Sequence, residues 1–184
     1  MTETTDTKIT RREGTNASEA LSQLNIMCKT GVWVMKIMMV GLIFIAVAMP
    51  ILFGATYVLD DPSGFSAPMT VDEVRATAVT MEVISIIAAA ISYHIMRMCG
   101  NVRKFNTPFR DEIVKDLRTV ALLLLLFTFA VPTVGASAAY LAGVTMDEAF
   151  SFNLFTLLVA LLAHMLWLIF KYGTELQKES DETL

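Results

Sequence analysis

The sequence predicts an all-α integral membrane protein, a four-helix transmembrane bundle with both termini in the cytoplasm. Of its 184 residues, 55% are hydrophobic and only 17% are charged, and the mean hydropathy is +0.59. A soluble domain carries about 25% charged residues. The charges are also segregated, because none occurs in residues 37–59, 119–146 or 149–170 and only Glu82 occurs in 76–96.

Each of these stretches reaches the ~20 residues that a helix needs to cross ~30 Å of hydrocarbon. We therefore place four spans at about 35–59, 76–98, 118–143 and 149–171. The sequence predicts a disordered cytoplasmic tail at 1–15 and a short amphipathic cytoplasmic or interfacial helix at 16–30. The transmembrane domain follows at 31–173 and a cytoplasmic C-terminal tail at 174–184.

The distribution of basic residues predicts the orientation. Twelve of the fourteen Lys and Arg residues precede the first span, lie between the second and third, or follow the fourth. The other two connections carry only Arg75. Because basic residues accumulate in cytoplasmic loops, both termini and the central loop are expected in the cytoplasm of a bacterial plasma (inner) membrane protein.

Local signals mark the starts of the first two helices. Asn16 stands three residues before Glu19, a spacing like that of a capping box, and predicts the start of the interfacial helix. Thr70 precedes Asp72 and Glu73, whose negative charges suit the first turn of the second helix.

The third and fourth helices have similar signals. Thr107 places a capping hydroxyl before Pro108, which suits the first helical position, so we expect the third helix to begin near Pro108. Pro132 should kink it within the bilayer. The fourth helix is expected to project about two turns past the membrane, although Gly173 disfavours helix there.

Small residues at four-residue spacing predict a helix-packing stripe on the third span, formed by Gly135, Ala139 and Gly143. Such a stripe allows close approach of another helix. Packing within the bundle and a seam between two copies both remain open.

Glu82 is the candidate intramembrane functional residue, because ionisable groups in a bilayer are costly. A structural or interfacial position, with the second helix beginning near Thr80, is the alternative to a proton- or cation-linked role. Roles for His94 and His164 are left open; His94 and Cys99 are five residues apart, which does not put them on one helix face. The scattered methionines are interpreted as gap-filling, so no metal or cofactor is expected.

Enzyme motifs are missing from the sequence. It contains no G-x-S-x-G, H-E-x-x-H or phosphate-binding glycine loop, so we expect no catalytic residues and no enzyme activity. The basic central loop is explained by topology and by anionic lipid, and no direct contact with nucleic acid is expected.

Two segments carry a family resemblance. Phe105-Asn106-Thr107-Pro108-Phe109, followed by Leu117-Arg118, and the ending from Phe170 to Leu184, with Gly173, Leu176 and Gln177, resemble the domain of unknown function 2975 family, the YoaS-like small bacterial membrane proteins. The resemblance covers about residues 30–184. Lys178 departs from the acidic residue usual after Leu-Gln, and the stretch after Pro108 lacks the usual Glu-Asn.

Members of that family are commonly encoded beside a small Cro-like helix-turn-helix protein. The resemblance therefore implies a non-enzymatic membrane protein that binds or restrains such a transcriptional regulator. The residues assigned to partner binding are Phe105, Thr107, Pro108, Phe109, Arg118, Gly173, Leu176 and Gln177. The alternative is a small transporter, export or channel component that acts as a homo-oligomer.

Overall fold

The computed structural model describes residues 3–58, 70–105, 110–143 and 154–183. These residues form four helices, α1 (Glu3–Val58), α2 (Val71–Phe105), α3 (Asp111–Ala142) and α4 (Leu154–Glu182). Each of the four is long and apolar enough to cross a membrane. The described part of the protein is therefore all-helical, as the composition predicts.

Consecutive helices run antiparallel. Cys28, near the middle of α1, packs with Val102 near the end of α2 and with Ile113 near the start of α3. The end of α4 reaches the same place, because Lys178 pairs with Asp111. We call this the basic end of the protein, since Lys29, Arg103, Arg110 and Lys178 all lie there. Both outer helices thus extend toward their chain termini on the side where α2 leads to α3.

The main packing contacts follow the order of the helices in the chain. Extensive contacts among the described residues join α1 to α2, α2 to α3, and α3 to α4. In the most apolar 18-residue stretch of α2, 28% of the residues are buried. In the corresponding stretch of α1, none is buried. Apolar side chains on the outer helices need no protein cover in a bilayer, because lipid tails are as apolar as leucine.

Small side chains form most of the buried interior. The buried residues of α2 and α3 include Ala76, Thr80, Ser85, Ser92, Ala121, Thr128, Gly135 and Ala139. The hydroxyls bond to carbonyls of their own helix, as Thr80 Oγ1 does to Ala76 at 2.9 Å and Thr128 Oγ1 to Leu124 at 2.9 Å. Because these polar atoms are satisfied within one helix, α2 and α3 approach closely without burying unpaired hydroxyls.

Gly143 does not belong to the packing stripe. It caps the C-terminus of α3 in the left-handed conformation, with φ of 69°, and its N–H donates to Tyr140 O at 3.2 Å. A side chain placed there would meet no other atom within 4 Å. The glycine thus serves the positive φ of a helix terminus, whereas Gly135 and Ala139 are buried.

Two helix starts differ from the expected positions. α1 continues back to Glu3, through the segment expected to be a disordered tail and past Asn16; adding a residue to an existing helix costs less than nucleating one. α3 begins at Asp111, because Arg110 is extended and its carbonyl accepts from Ile113 N–H. Thr107 and Pro108, from which an earlier start was expected, lie outside the described residues.

The other helix ends follow the sequence signals closely. α2 begins at Val71, where Thr70 N–H donates to Glu73 Oε2 at 2.6 Å and Glu73 N–H donates to Thr70 Oγ1 at 3.3 Å. This reciprocal pair is a capping box. A start near Thr80 is therefore wrong, and Glu82 lies eleven residues inside α2. α4 continues through Gly173 to Glu182.

Candidate functional site

A buried carboxylate joins α2 to α3 near the basic end. Asp116 has a side chain that is 5% exposed, and its Oδ1 lies 3.1 Å from His94 Nδ1. Because a carboxylate can only accept, the shared hydrogen is on His94. Arg97 Nε lies 3.5 Å from Asp116 Oδ2, too far for a good hydrogen bond but close enough for charge attraction. One carboxylate thus faces a histidine and an arginine from the neighbouring helix.

Sequence reasoning missed Asp116, although a signal for it was present. Ile113, Asp116 and Val120 are all buried, and their spacing of three and four residues puts them on one face of α3. The predicted third span begins at about residue 118, so Asp116 lies outside it and its charge indicates no particular role. The structure places His94 beside Asp116.

The two cysteines lie in a small apolar core at the basic end. Cys28 is buried with Val102 and Ile113, and Leu24, Met98 and Cys99 pack against them. A side chain at Gly31 would lie 3.8 Å from Cys99 Sγ, so α1 approaches α2 closely at this level. This core fixes the end of α2 and the start of α3 against the middle of α1.

Phe105 ends α2 between two cations. The guanidinium of Arg110 lies 4.4 Å from its ring centre, and Lys104 Nζ lies 5.2 Å from it. Both are within the range of a cation–π interaction. The ring, which we expect to take part in partner binding, is half-buried. Phe109, the other predicted aromatic, lies outside the described residues together with Thr107 and Pro108.

Arg118 joins α3 to α4. Its guanidinium lies 5.4 Å from the centre of the Trp167 ring, and His164 packs on the same ring at 4.9 Å. His164 Nδ1 is buried and makes no hydrogen bond to a described residue. Arg118 was assigned to partner binding, but the structure gives it a contact that holds two helices together.

The C-terminal part of α4 is held against the first turn of α3. Lys178 Nζ donates to Asp111 Oδ1 and Oδ2 at 3.0 and 2.9 Å. Thr174 is buried and its hydroxyl donates to Phe170 O at 2.9 Å. Asp111 precedes the apolar stretch of α3, and the hydrogen bond from Lys178 holds the pKa of its carboxyl below the ordinary value of 3.8.

Around this contact the end of α4 presents an exposed surface. Leu176 is 46% exposed and Gln177 is exposed, whereas Gly173 is partly covered. The twelve residues from Lys171 to Glu182 extend about 18 Å at 1.5 Å per residue. Lys178 ties this segment to the first turn of α3.

Glu82 lies in a second region, away from the basic end. Its Oε2 is buried and accepts no hydrogen bond from any described residue. It lines a cavity of about 260 Å³ between α1 and α2, together with Met49, Pro50, Phe53, Val79 and Val83. A cleft of about 530 Å³ shares Phe53 and Val79 with this cavity and extends toward Asp72 and Arg75 at the opposite end.

The chain matches no protein-family model, and comparison with curated proteins and with solved structures gives no match either.

Proposed function

We propose that the protein resides in the inner membrane of a bacterium with its basic end in the cytoplasm, where it binds and restrains a small helix-turn-helix transcriptional regulator without catalysing a reaction. The observation that carries the proposal is the helical projection of α4, which Lys178 fixes to Asp111. A surface held in one conformation loses less conformational entropy on binding than a mobile tail does.

The charge of this projection favours a basic partner. Lys178 is neutralised by Asp111, and the remaining charged residues after Thr174 are acidic and exposed: Glu175, Glu179, Asp181 and Glu182. Leu176 adds apolar area next to them. Proteins that bind DNA carry a basic surface for the phosphates. An acidic helix that pairs with such a surface competes with DNA for it, and the resemblance to the domain of unknown function 2975 family implies the same class of partner.

The test is an affinity pull-down of tagged protein from cross-linked cells. The forms compared are the wild type, a chain ending at Gly173, the charge reversal Glu179→Lys/Asp181→Lys/Glu182→Lys, Phe105→Ala/Phe109→Ala, and Glu82→Gln. Wild type and Glu82→Gln should recover the regulator. The truncated chain and the charge-reversal variant should fail to recover the regulator. Lowering the salt concentration should not restore its recovery by either form.

Insertion of every form into the membrane is checked first by fractionation. If all forms insert and none recovers a cytoplasmic protein, or if the truncated chain recovers as much as the wild type, the proposal is wrong. The neighbouring gene provides an inexpensive first observation. A helix-turn-helix reading frame supports this proposal, whereas the frame of an ATP-binding cassette protein supports export.

A small transporter, export or channel component that acts as an oligomer is the second candidate. The buried Glu82 oxygen beside a cavity favours it, since ionisable residues within membranes mark transport pathways in many proteins. The exposed apolar side chains of α1 and α4 would then face another copy. A cellular phenotype abolished by Glu82→Gln alone, with partner recovery intact, would favour this function.

A further inference from the structure

The cavity between α1 and α2 combines one carboxylate with apolar walls. Met49, Pro50 and Phe53 of α1 face Val79, Glu82 and Val83 of α2 across it. Glu82 is the charged residue of this lining, and its buried Oε2 has no hydrogen-bond donor among the described residues. An unpaired carboxylate in apolar surroundings is costly, and a bound cation would offset that cost.

The lining restricts the kind of cation. A calcium or magnesium ion needs six or more oxygen ligands, most of them from the protein or from retained water. The lining supplies the carboxylate and otherwise hydrocarbon and thioether groups, because the nearby hydroxyls of Thr80 and Ser85 bond to carbonyls of α2. An organic cation carries its own apolar substituents and needs no ligand shell. Such a cation matches both the charge and the walls.

A neighbouring cleft adjoins this cavity and would give a ligand additional volume. It shares Phe53 and Val79 with the Glu82 cavity and is lined beyond them by Thr133 and Ser137 of α3. Together the two spaces fall within the ~300–1,000 Å³ typical of sites for small organic ligands. Asp72, at the far side of the cleft, pairs with Arg75 at 3.1 Å. Its charge is thereby compensated, which leaves Glu82 as the carboxylate available to a cation.

We infer that the joined cavity of α1, α2 and α3 binds a monovalent hydrophobic organic cation, with the positive centre beside Glu82 and the apolar substituents against Met49, Phe53 and Val79. The inference does not depend on the regulator-binding function, because the cavity lies away from the basic end. A carboxylate that merely packs in the interface is the contrasting explanation.

Binding of tetraphenylphosphonium to the purified full chain in detergent tests the inference by isothermal titration calorimetry. Glu82→Gln keeps the side-chain size and removes the charge, and it should weaken binding by about 30-fold or more. Val79→Trp fills the space shared by the cavity and the cleft and should also weaken binding. Glu112→Gln removes an exposed carboxylate at the basic end and should leave binding unchanged.

Triphenylphosphine oxide, an uncharged probe with similar rings, controls for purely apolar binding. It should bind the wild type and Glu82→Gln equally weakly. The inference fails if the wild type does not bind the phosphonium ion, or if Glu82→Gln binds it as tightly. It also fails if the neutral probe binds the wild type as well as the cation does. Unchanged thermal melting of Glu82→Gln would show that a loss of binding does not reflect unfolding.

Discussion

His94 Nδ1 lies 3.1 Å from Asp116 Oδ1 across the interface between α2 and α3, and the Asp116 side chain is 5% exposed. Arg97, which also faces this carboxylate, is 52% exposed, so water reaches the arginine but hardly reaches the aspartate. The carboxylate depends on His94 for its direct hydrogen bond. Because a buried charge without partners is costly, this contact constrains how α2 and α3 are placed.

Replacing Asp116 with Ala should destabilise the protein in detergent by roughly 1–3 kcal/mol, since it leaves the His94 N–H without its buried acceptor. The loss should stay below that for a fully buried ion pair, because Arg97 can remain hydrated. Thermal melting of the purified variant measures it. Asp116→Asn retains an acceptor oxygen and should lose less, while Asp181→Ala, at an exposed position, should match the wild type. Equal melting of all four proteins would contradict a stabilising role for the contact.

The double variant His94→Ala/Asp116→Ala tests whether the two residues act together. If the hydrogen bond is the source of the effect, the double variant should be destabilised by less than the sum of the two single changes. Additive losses would mean that each side chain stabilises the protein through other neighbours.

The four membrane-length helices and their order could be predicted from the sequence, because each apolar stretch is continuous and long, whereas the interfacial helix expected at 16–30 is part of α1. Thr70 and Glu73 also signalled the start of α2, since a capping box depends on residues close in sequence. Contacts between helices could not be predicted in this way. The approach of His94 to Asp116, 22 residues apart in sequence, depends on the register of α2 against α3.

Gly143 shows how one spacing can serve two purposes. It follows Gly135 and Ala139 at the same interval, but it is the residue after the end of α3, where the positive φ of 69° favours glycine. The stripe rule applies only within a helix, and the predicted third span ends at about residue 143, so Gly143 lies at its boundary. Lys178 is a similar case, because its value to the fold depends on Asp111, 67 residues away.

Lys178→Ala should free the end of α4 while leaving the membrane-spanning part unchanged. An exposed ion pair contributes little to global stability, so the expected effect is local. Amide hydrogen exchange should become several-fold faster in residues 174–182 and should be unchanged in the middle of α2. The exchanged pair Asp111→Lys/Lys178→Asp should restore part of the protection, and Lys171→Ala is the matched control. Equal exchange in Lys178→Ala and the wild type would show that Thr174 alone holds this segment.

The same contact predicts a pH dependence. Hydrogen bonding by Lys178 lowers the pKa of Asp111, so the contact stabilises the α4 projection fully above the ordinary pKa of 3.8. The stabilisation is lost as the pH falls through the lower pKa of the folded protein. Protection of residues 174–182 should therefore be constant between about pH 5 and 8. Loss of protection within that range would contradict the assignment of the contact to this carboxylate.

Gly135→Leu and Ala139→Leu should each destabilise the protein in detergent, since both residues are buried and their small size permits close helix approach. Insertion of a large side chain into a packed interface costs about 1–3 kcal/mol. Ala136→Leu is the matched control, because Ala136 is next to Gly135 on α3 and is exposed. Unchanged melting of both test variants would show that this face of α3 does not pack against another helix.

The topology prediction places the basic end in the cytoplasm. Cys28, Val102 and Ile113 meet in one core and Lys178 reaches Asp111, so the ends of the chain leave the helices on the side where α2 connects to α3. The two ends of the chain and the connection between α2 and α3 therefore lie on the same side of the membrane. The excess of Lys and Arg in these three segments favours the cytoplasmic side. Reporter fusions after Thr30, Asn106 and Leu184 should score as cytoplasmic, and fusions after Gly64 and Asp147 as external. If the five fusions reverse together, the helix order is right and the orientation is wrong. If the fusion after Asn106 scores opposite to the one after Leu184, the antiparallel order of α3 and α4 is wrong as well.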